Sequence, residues 1–402
     1  MSEERTTFLR RLFRWIVSPG RLFSLTLARI KTRLFCQRQD ERAARTTRLA
    51  GRRRLLGAVG LLPVLGFFGR SSAGGAEEEV DAITQPTLLT TPEARDYARL
   101  KRLDLSDPKV AARQKEMPAG KIGPLSVGRL ISGSNLISMN MHARDLAYVR
   151  DLAAAYNSEE RVFMTLKRCE ELGVNTIVLK NHNFKRFKLA KYWDEWGGRM
   201  QWLADVITRD INQYEKLLVE HLELGAAAAY LWGGATDMWY YEKKPGQIIQ
   251  AFEIMKKYQI PVGIGAHRLE PIIFCQREGL VPDFYMLTLH HDRYWSAHPA
   301  ENRRFMEMYE KESDDHAEYH DNMFCHEAEE TLAFMQDVQV PWIAFKILAA
   351  GAIPPENGFR YAFSGGADFV CVGMFDFQVE ADVKLTQKTV AEAKNRSRPW
   401  VG

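Results

Sequence analysis

The stretch PWIAFKILAAGAIPPENGFRYAFSGGADFVCVGMFDF, residues 341–377, decides the fold of this chain. Two apolar runs, 342–348 and 368–374, flank a turn rich in glycine and proline and a short helical pattern. Near-continuous apolar strands are typical of a parallel sheet that is covered on both faces. Parallel neighbours need a crossover connection of about this length, so the stretch predicts a strand–helix–strand unit.

The same alternation of apolar strands and amphipathic helices begins upstream, near Val127. The predicted strands are 127–135, 174–180, 202–207, 226–232, 261–267, 283–290, 342–348 and 368–374. Strands and helices alternating in this way over residues 121–402 predict a (β/α)8 TIM barrel, preceded by a signal peptide and a linker. An open, doubly wound sheet is the alternative, but no GxGxxG turn follows the first strand.

The first 76 residues differ from the rest in charge and predict an export leader. Residues 1–75 contain 16 Lys and Arg against 4 Asp and Glu, a net charge of +12, whereas the whole chain carries +4. The remainder therefore carries −8, which argues against nucleic acid as a partner. Arg52 and Arg53 precede the apolar run 55–68 and then small residues, which is typical of a cleaved secretory signal and not of a stable membrane anchor. The pair resembles a twin-arginine signal, which implies the twin-arginine translocase as a partner and a periplasmic or extracellular location.

Residues 77–120 are polar and contain several prolines, so they predict a linker with short helices. The 5 cysteines, at positions 36, 169, 275, 325 and 371, form no CxxC pair. Cys169 falls within a predicted helix and Cys371 within a predicted strand. We therefore expect free, buried thiols even though export permits disulfides.

Polar residues gather where the predicted strands end, and this rim carries the active site in a barrel. Asn135, Asn181, Trp232 and Asp376 follow different strands and are predicted to bind substrate. Amides and a carboxylate suit hydroxyl groups, and an aromatic face suits a sugar ring. His182 is predicted to move a proton.

Two histidines predict a divalent metal site. His267 and His290 end neighbouring strands, so we expect their imidazoles to converge, with Glu270, Asp237 or Asp292 completing the ligand set. Imidazole and carboxylate ligands suit zinc, manganese or a similar divalent ion. The alternative is that these histidines bind substrate or close the rim without metal, since no HExxH motif is present.

Lys346 is the other catalytic candidate. It interrupts an apolar strand, and a buried lysine is costly unless it is paired. Burial lowers the pKa of a lysine, which favours a role as a base or as a Schiff-base nucleophile. Pairing with Asp376 or clamping a substrate hydroxyl is the alternative.

The segment 296–325 is long for a connection and predicts a functional lid. It contains His298, His316 and His320 as further candidate ligands, together with aromatic residues that argue for an ordered structure.

The stretches KIGPLSV, RLISGSN and ELGVNTIVLK, within residues 121–180, resemble the beginning of aldo-keto reductases. That family opens with a small hairpin, a first strand ending in glycine, and a helix that leads into the second strand. The resemblance implies a barrel and leaves an NADPH-dependent oxidoreductase open, but the family's catalytic aspartate would fall at Val178 and is missing. The histidine-bearing strand ends are also similar to those of sugar isomerase and epimerase barrels.

These observations predict an exported, metal-dependent barrel enzyme that acts on a small carbohydrate or polyol. The expected reaction is isomerisation, epimerisation or lyase-type proton abstraction. An aldo-keto-reductase-like oxidoreductase that uses NADPH and a sugar-binding barrel without activity remain as alternatives. No oligomeric state is predicted.

Overall fold

The computed structural model describes residues 104–143, 146–180, 188–297 and 323–402. The chain divides into Met1–Thr84 and Gln85–Gly402, and every described residue belongs to the second unit. The predicted leader and most of the predicted lid lie outside the described residues, and so does the linker before residue 104. No helix in the described ranges is long and apolar enough to cross a membrane.

Eight parallel strands close into a barrel in which the last strand pairs with the first. The barrel strands are β3 (Leu130–Gly133), β4 (Thr176–Lys180), β5 (Gln201–Val206), β6 (Ala228–Leu231), β7 (Val262–Ala266), β8 (Phe284–Thr288), β9 (Trp342–Phe345) and β10 (Phe369–Gly373). A separate antiparallel hairpin, formed by β1 (Ala119–Ile122) and β2 (Leu125–Gly128), precedes them. Ring closure confirms the predicted (β/α)8 TIM barrel and excludes the open sheet.

Helices connect the strands and cover the outside of the barrel. They are α1 (Pro108–Glu116), α2 (Ala147–Tyr156), α3 (Glu159–Glu171), α4 (Leu189–Trp196), α5 (Ile211–Glu223), α6 (Gly233–Tyr241), α7 (Gly246–Lys256), α8 (Leu269–Arg277), α9 (Ala328–Met335), α10 (Pro355–Ser364) and α11 (Asp376–Glu392). The cysteines at 169, 275, 325 and 371 are buried and free, as expected.

Helix α6 follows β6 directly, although its sequence begins with two glycines. Gly233 and Gly234 each disfavour a helix by about 1 kcal/mol relative to alanine. Packing explains their presence, because a Cβ on Gly234 would lie 2.6 Å from the Trp232 ring and one on Gly233 would lie 3.2 Å from the Ala266 nitrogen. Close approach to β7 therefore outweighs helix propensity at this position.

The interior of the barrel is apolar at the amino-terminal ends of its strands. The packed interior residues include Ile131, Val178, Leu203, Phe284, Met286, Ile343 and Phe369, and Ile122 and Val127 of the hairpin join the same cluster. Side chains alternate along a strand, so the residue two positions further along also faces inward. Those next positions on β4, β5 and β6 are polar, namely Lys180, Asp205 and Tyr230.

A buried carboxylate attaches the last residues of the chain to the start of β10. Asp368 is fully buried and accepts hydrogen bonds from the backbone N–H groups of Trp342 and Val401, each at 2.9 Å. Its Oδ2 also lies 2.6 Å from Nη1 of Arg398, which is itself buried. Each of these charges has a partner, and this satisfies the condition under which buried ion pairs are tolerated.

A second buried carboxyl lies on α3, between the barrel and its helices. Glu170 is 3% exposed and accepts hydrogen bonds from the Tyr192 hydroxyl at 2.6 Å and the Arg199 backbone N–H at 2.8 Å. Burial disfavours the charged form and raises the pKa of Glu170 to about 7, although both hydrogen bonds act in the opposite direction.

We expect Glu170→Gln to be more stable than the parent protein at pH 8 and similar to it at pH 5. The folded carboxyl holds its proton up to about pH 7, whereas the unfolded carboxyl releases it near 4.5, so the parent protein loses stability as the pH rises between these values. The difference in the free energy of unfolding should reach about 3 kcal/mol. Urea denaturation at both pH values measures it, and a difference independent of pH would contradict the assignment.

Candidate active site

A cavity of about 640 Å³ opens at the carboxyl ends of the barrel strands. Its floor carries five polar side chains: Lys180 at the end of β4, Asp205 on β5, Tyr230 on β6, His267 after β7 and Lys346 after β9. The position is the one that active sites occupy in this fold.

Strand register sets three of the floor residues in a row. Lys180 is paired with Asp205 across β4 and β5, and Asp205 is paired with Tyr230 across β5 and β6. Residues at matching register positions point to the same face of a sheet, so all three side chains enter the cavity together. The row is therefore a consequence of the register between neighbouring strands.

Asp205 is the buried carboxyl of the floor. It is 5% exposed, and its Oδ1 has no hydrogen-bond partner in the described part of the chain, while the Tyr230 hydroxyl donates a hydrogen bond to the carboxylate. Burial raises the pKa of Asp205 to about 7, against the opposing effects of Lys180, Tyr230 and Lys346. Burial also lowers the pKa of Lys180, and Asp205 opposes that shift. Each of the two groups therefore favours the charged form of the other.

The glycines of β7 make room for this row. A Cβ on Gly265 would lie 3.1 Å from the Tyr230 ring and 2.9 Å from the Leu231 carbonyl oxygen. A Cβ on Gly263 would lie 2.4 Å from the Phe284 ring. The sequence VGIGA thus leaves space inside the barrel for two aromatic rings, and larger residues at these positions would displace them.

His267 is oriented towards the floor by Asp237. Its Nδ1 lies 2.8 Å from Oδ2 of Asp237, and the same carboxylate accepts the backbone N–H of His267 at 2.9 Å. A carboxylate at Nδ1 fixes the tautomer and leaves Nε2 as the ring nitrogen that can exchange a proton. Burial lowers the pKa of His267, although Asp237 opposes the shift. The pair has the form of a general acid–base group with its orienting carboxylate.

His290 has a different environment from His267. Its Nε2 accepts the backbone N–H groups of Phe324 and Cys325, at 3.0 and 2.9 Å, and its Nδ1 lies 3.0 Å from the His291 carbonyl oxygen. Burial lowers the pKa of His290 to about 4, so the ring is neutral at physiological pH. Both ring nitrogens are occupied by backbone groups, and His290 holds the chain segment at 324–325 in place.

The four predicted metal ligands do not converge in this conformation. His267 and Asp237 are in contact, but Glu270 lies beside Arg268, with 3.6 Å between Oε1 and Nη2, and His290 bonds to backbone. In the ranges that the structure describes, no group of three His, Cys, Asp or Glu side chains is placed to hold a metal ion. A metal at the predicted site would require His290 to release Phe324 and Cys325.

Lys346 lies just beyond β9, and not midway along the strand as its sequence position suggests. Its backbone has a φ of +59°, and its Nζ lies 2.9 Å from Nε2 of His142 and 3.8 Å from the centre of the Phe324 ring. A cation over an aromatic face is stabilised in its charged form. Phe324 is the residue held by His290, so the clamp on residues 324–325 also shapes the surroundings of Lys346.

The predicted substrate-binding residues are separated by the structure. Asn135 and Trp232 line the cavity. Asp376 instead accepts the Tyr156 hydroxyl at 2.5 Å and lies 3.2 Å from Nη1 of Arg161. Asn181 and His182 lie outside the described residues.

The outer wall of the cavity is apolar. It is formed by Val149 and Leu152 of α2 together with Phe375 and Phe377, which flank the start of α11. The two phenylalanine rings are stacked at 5.5 Å between centroids, and 65% of Leu152 and 68% of Phe377 are exposed. The cavity thus combines a charged floor with an apolar, aromatic rim.

Comparison with known proteins gives no family for this chain. No family model and no curated protein matches it. Among solved structures, PA4992, a provisionally assigned aldo-keto reductase from Pseudomonas aeruginosa, is similar at 14% identity over 68% of this chain and 95% of that chain, with a TM-score of 0.43. A truncated 3-deoxy-D-arabino-heptulosonate 7-phosphate synthase from Thermotoga maritima matches at 13% identity over 70% and 92% of the two chains, with a TM-score of 0.37. Function therefore has to be inferred from the site itself.

We expect His290→Ala to lower the free energy of unfolding by about 2–5 kcal/mol, because two backbone N–H groups lose their acceptor. Urea denaturation at pH 7 measures the loss. The matched control is His291→Ala, whose ring accepts one N–H, that of Arg293, at 3.1 Å.

Zinc content of the same samples separates the two roles considered for His290. Equal zinc content in the parent protein and in His290→Ala is expected for a residue that holds the backbone. One equivalent of zinc that is lost in His290→Ala, with little loss of stability, would instead support the predicted metal site.

Proposed function

We propose that this protein is a barrel enzyme that removes a proton next to the carbonyl group of a small hydroxylated substrate, such as a sugar or related polyol derivative. The reaction class is isomerisation, epimerisation or carbon–carbon cleavage. The observation that carries the proposal is the carboxyl of Asp205, which is buried in the cavity floor with Oδ1 unpartnered among the described residues and with a pKa raised to about 7.

A carboxyl with such a pKa can take and return a proton at neutral pH. Tyr230 donates to the carboxylate and holds it in the row set by the strands. Removal of a proton next to a carbonyl places negative charge on the carbonyl oxygen, and positive groups at that point lower the barrier. The ammonium of Lys346 lies on the same floor and is suited to this task.

The apolar rim supports a substrate with a carbon face. The stacked Phe375 and Phe377, with Trp232 deeper in the cavity, offer aromatic surfaces for the C–H face of a sugar ring or for an apolar substituent. Asn135 lines the same cavity and offers amide contacts to hydroxyl groups. No step of the proposal passes through a metal, because the four predicted ligands do not converge.

We expect the protein to catalyse exchange of the α-hydrogens of dihydroxyacetone or D-glyceraldehyde with solvent, measured by proton NMR in D₂O. The rate should fall as the pH is lowered through about 7, because a protonated Asp205 cannot accept a proton. Asp205→Asn should lower the rate by about 100-fold or more.

Asp382→Asn is the matched control for this experiment. Asp382 is also a buried carboxyl, and burial raises its pKa to about 6, but it lies on α11 and is not among the described residues that line the cavity. Equal rates in Asp205→Asn and the parent protein would contradict the proposal. Sugar binding without exchange would favour a binding protein, and tight NADPH binding would favour an oxidoreductase.

We also propose that the protein is exported through the twin-arginine translocase. Support comes from the sequence of the leader, where Arg52 and Arg53 precede an apolar run. Replacing both by lysine keeps the charge and should leave the protein in the cytoplasm, as judged by immunoblotting of cell fractions. Export that is undiminished in Arg52→Lys/Arg53→Lys would rule this route out.

A further inference from the structure

We propose that Lys180 is a catalytic residue that forms an imine with the carbonyl carbon of the substrate, with Asp205 moving the protons of the reaction. The inference rests on the proposed function and makes it more specific, because it assigns the covalent step and limits the substrate class to aldehydes and ketones that can reach the floor. The sequence pattern singles out Lys346 for this role, and the structure favours Lys180.

Geometry brings Lys180 and Asp205 together at the base of the cavity. Both side chains line it, and the two residues are register partners on adjacent strands. The unpartnered Oδ1 of Asp205 is a buried polar atom at a surface where a substrate would bind. Such an atom is costly unless a ligand or a neighbouring group satisfies it, so it points to an occupant with a proton to share.

The two lysines of the floor differ in what stabilises their charge. Lys346 lies over the Phe324 ring and beside His142, and the ring face favours the ammonium form. Burial disfavours the ammonium form of Lys180 and lowers its pKa, although Asp205 acts in the opposite direction. An imine requires a neutral amine, so Lys180 is the better nucleophile and Lys346 the better permanent cation.

The step balances with groups already present. The carboxylate of Asp205 first takes a proton from the ammonium of Lys180, which frees the Nζ lone pair. That lone pair bonds to the carbonyl carbon, and the carbonyl oxygen leaves as water after taking one proton from Nζ and one from Asp205. The product is an iminium ion, and Asp205 is now a carboxylate. That carboxylate then removes the adjacent C–H proton, and the C–H electrons move into the iminium to give an enamine. Reprotonation and hydrolysis regenerate the amine and consume the water released earlier.

Borohydride trapping tests the assignment on the full-length protein. The probe is dihydroxyacetone or D-glyceraldehyde, whichever shows the faster solvent exchange. Sodium borohydride added during the reaction converts the imine to a secondary amine, and peptide mass spectrometry locates it. We expect one reduced adduct per chain, on Lys180, and at least about tenfold less total adduct in Lys180→Arg, because a guanidinium is not a nucleophile at neutral pH.

Two further variants distinguish the remaining outcomes. Lys346→Arg should retain the adduct on Lys180, and Asp205→Asn should slow its formation because the leaving water lacks its proton donor. The assignment would be overturned by an adduct on Lys346, or by adducts formed at equal rates on exposed lysines such as Lys216 and Lys384. Trapping on the parent protein is sufficient to detect either outcome, so this test does not depend on whether a variant folds. Exchange that depends on Asp205 but traps no adduct would leave the proposed function standing and remove Lys180 from the covalent role.

Discussion

The burial of ionisable groups inside a closed ring of strands is the constraint on which the site depends. The amino-terminal half of the interior is filled by apolar side chains and by two residues of the hairpin. That filling excludes water from below, so groups in the next layer lose most of their hydration. Asp205 and Lys180 respond in opposite ways, because loss of water disfavours the charge on each. An acid and a base whose pKa values are brought towards neutrality result from the fold itself.

The histidines of the rim show that the same residue type serves two purposes at neighbouring strand ends. His267 has its Nδ1 against Asp237, which directs its other nitrogen to the cavity. His290 has both nitrogens against backbone and holds Phe324, whose ring lies over Lys346. His290 is therefore linked to the floor through a contact chain, while His267 belongs to the floor directly. The difference depends on the partner of each ring nitrogen.

The apolar pattern of the sequence predicts the eight barrel strands, but it does not predict which side chains meet on the cavity floor. Apolar runs mark the barrel strands, because a strand covered on both faces needs an apolar side chain at almost each position. The same pattern does not fix the residue at which a strand ends. The run after Trp342 continues to Leu348, yet β9 ends at Phe345 because Lys346 takes a positive φ. The pattern of apolar residues does not reveal where a backbone takes a positive φ.

The row formed by Lys180, Asp205 and Tyr230 needed knowledge of register, which sequence periodicity does not supply. The sequence does show that Asp205 interrupts the apolar run 202–207, just as Lys346 interrupts the run 342–348. The sequence does not show which side chains contact each of these two charges in the fold. Asp205 and Tyr230 are 25 positions apart and Lys346 and Phe324 are 22 apart, and each pair meets only in the folded barrel.

Placing the acid–base groups below an apolar rim also has a physical consequence for selectivity. A substrate whose polar end reaches the floor buries its carbon surface against Phe375, Phe377 and Leu152 on the way in. That contact removes water from around the buried carboxyl and lysine, which strengthens every electrostatic interaction at the reacting carbon. A triose makes only part of this contact, so we expect it to react more slowly than a longer substrate that displaces more of this water. Binding energy at the rim is thus coupled to the reactivity of the floor, and the preferred substrates should be those long enough to touch both.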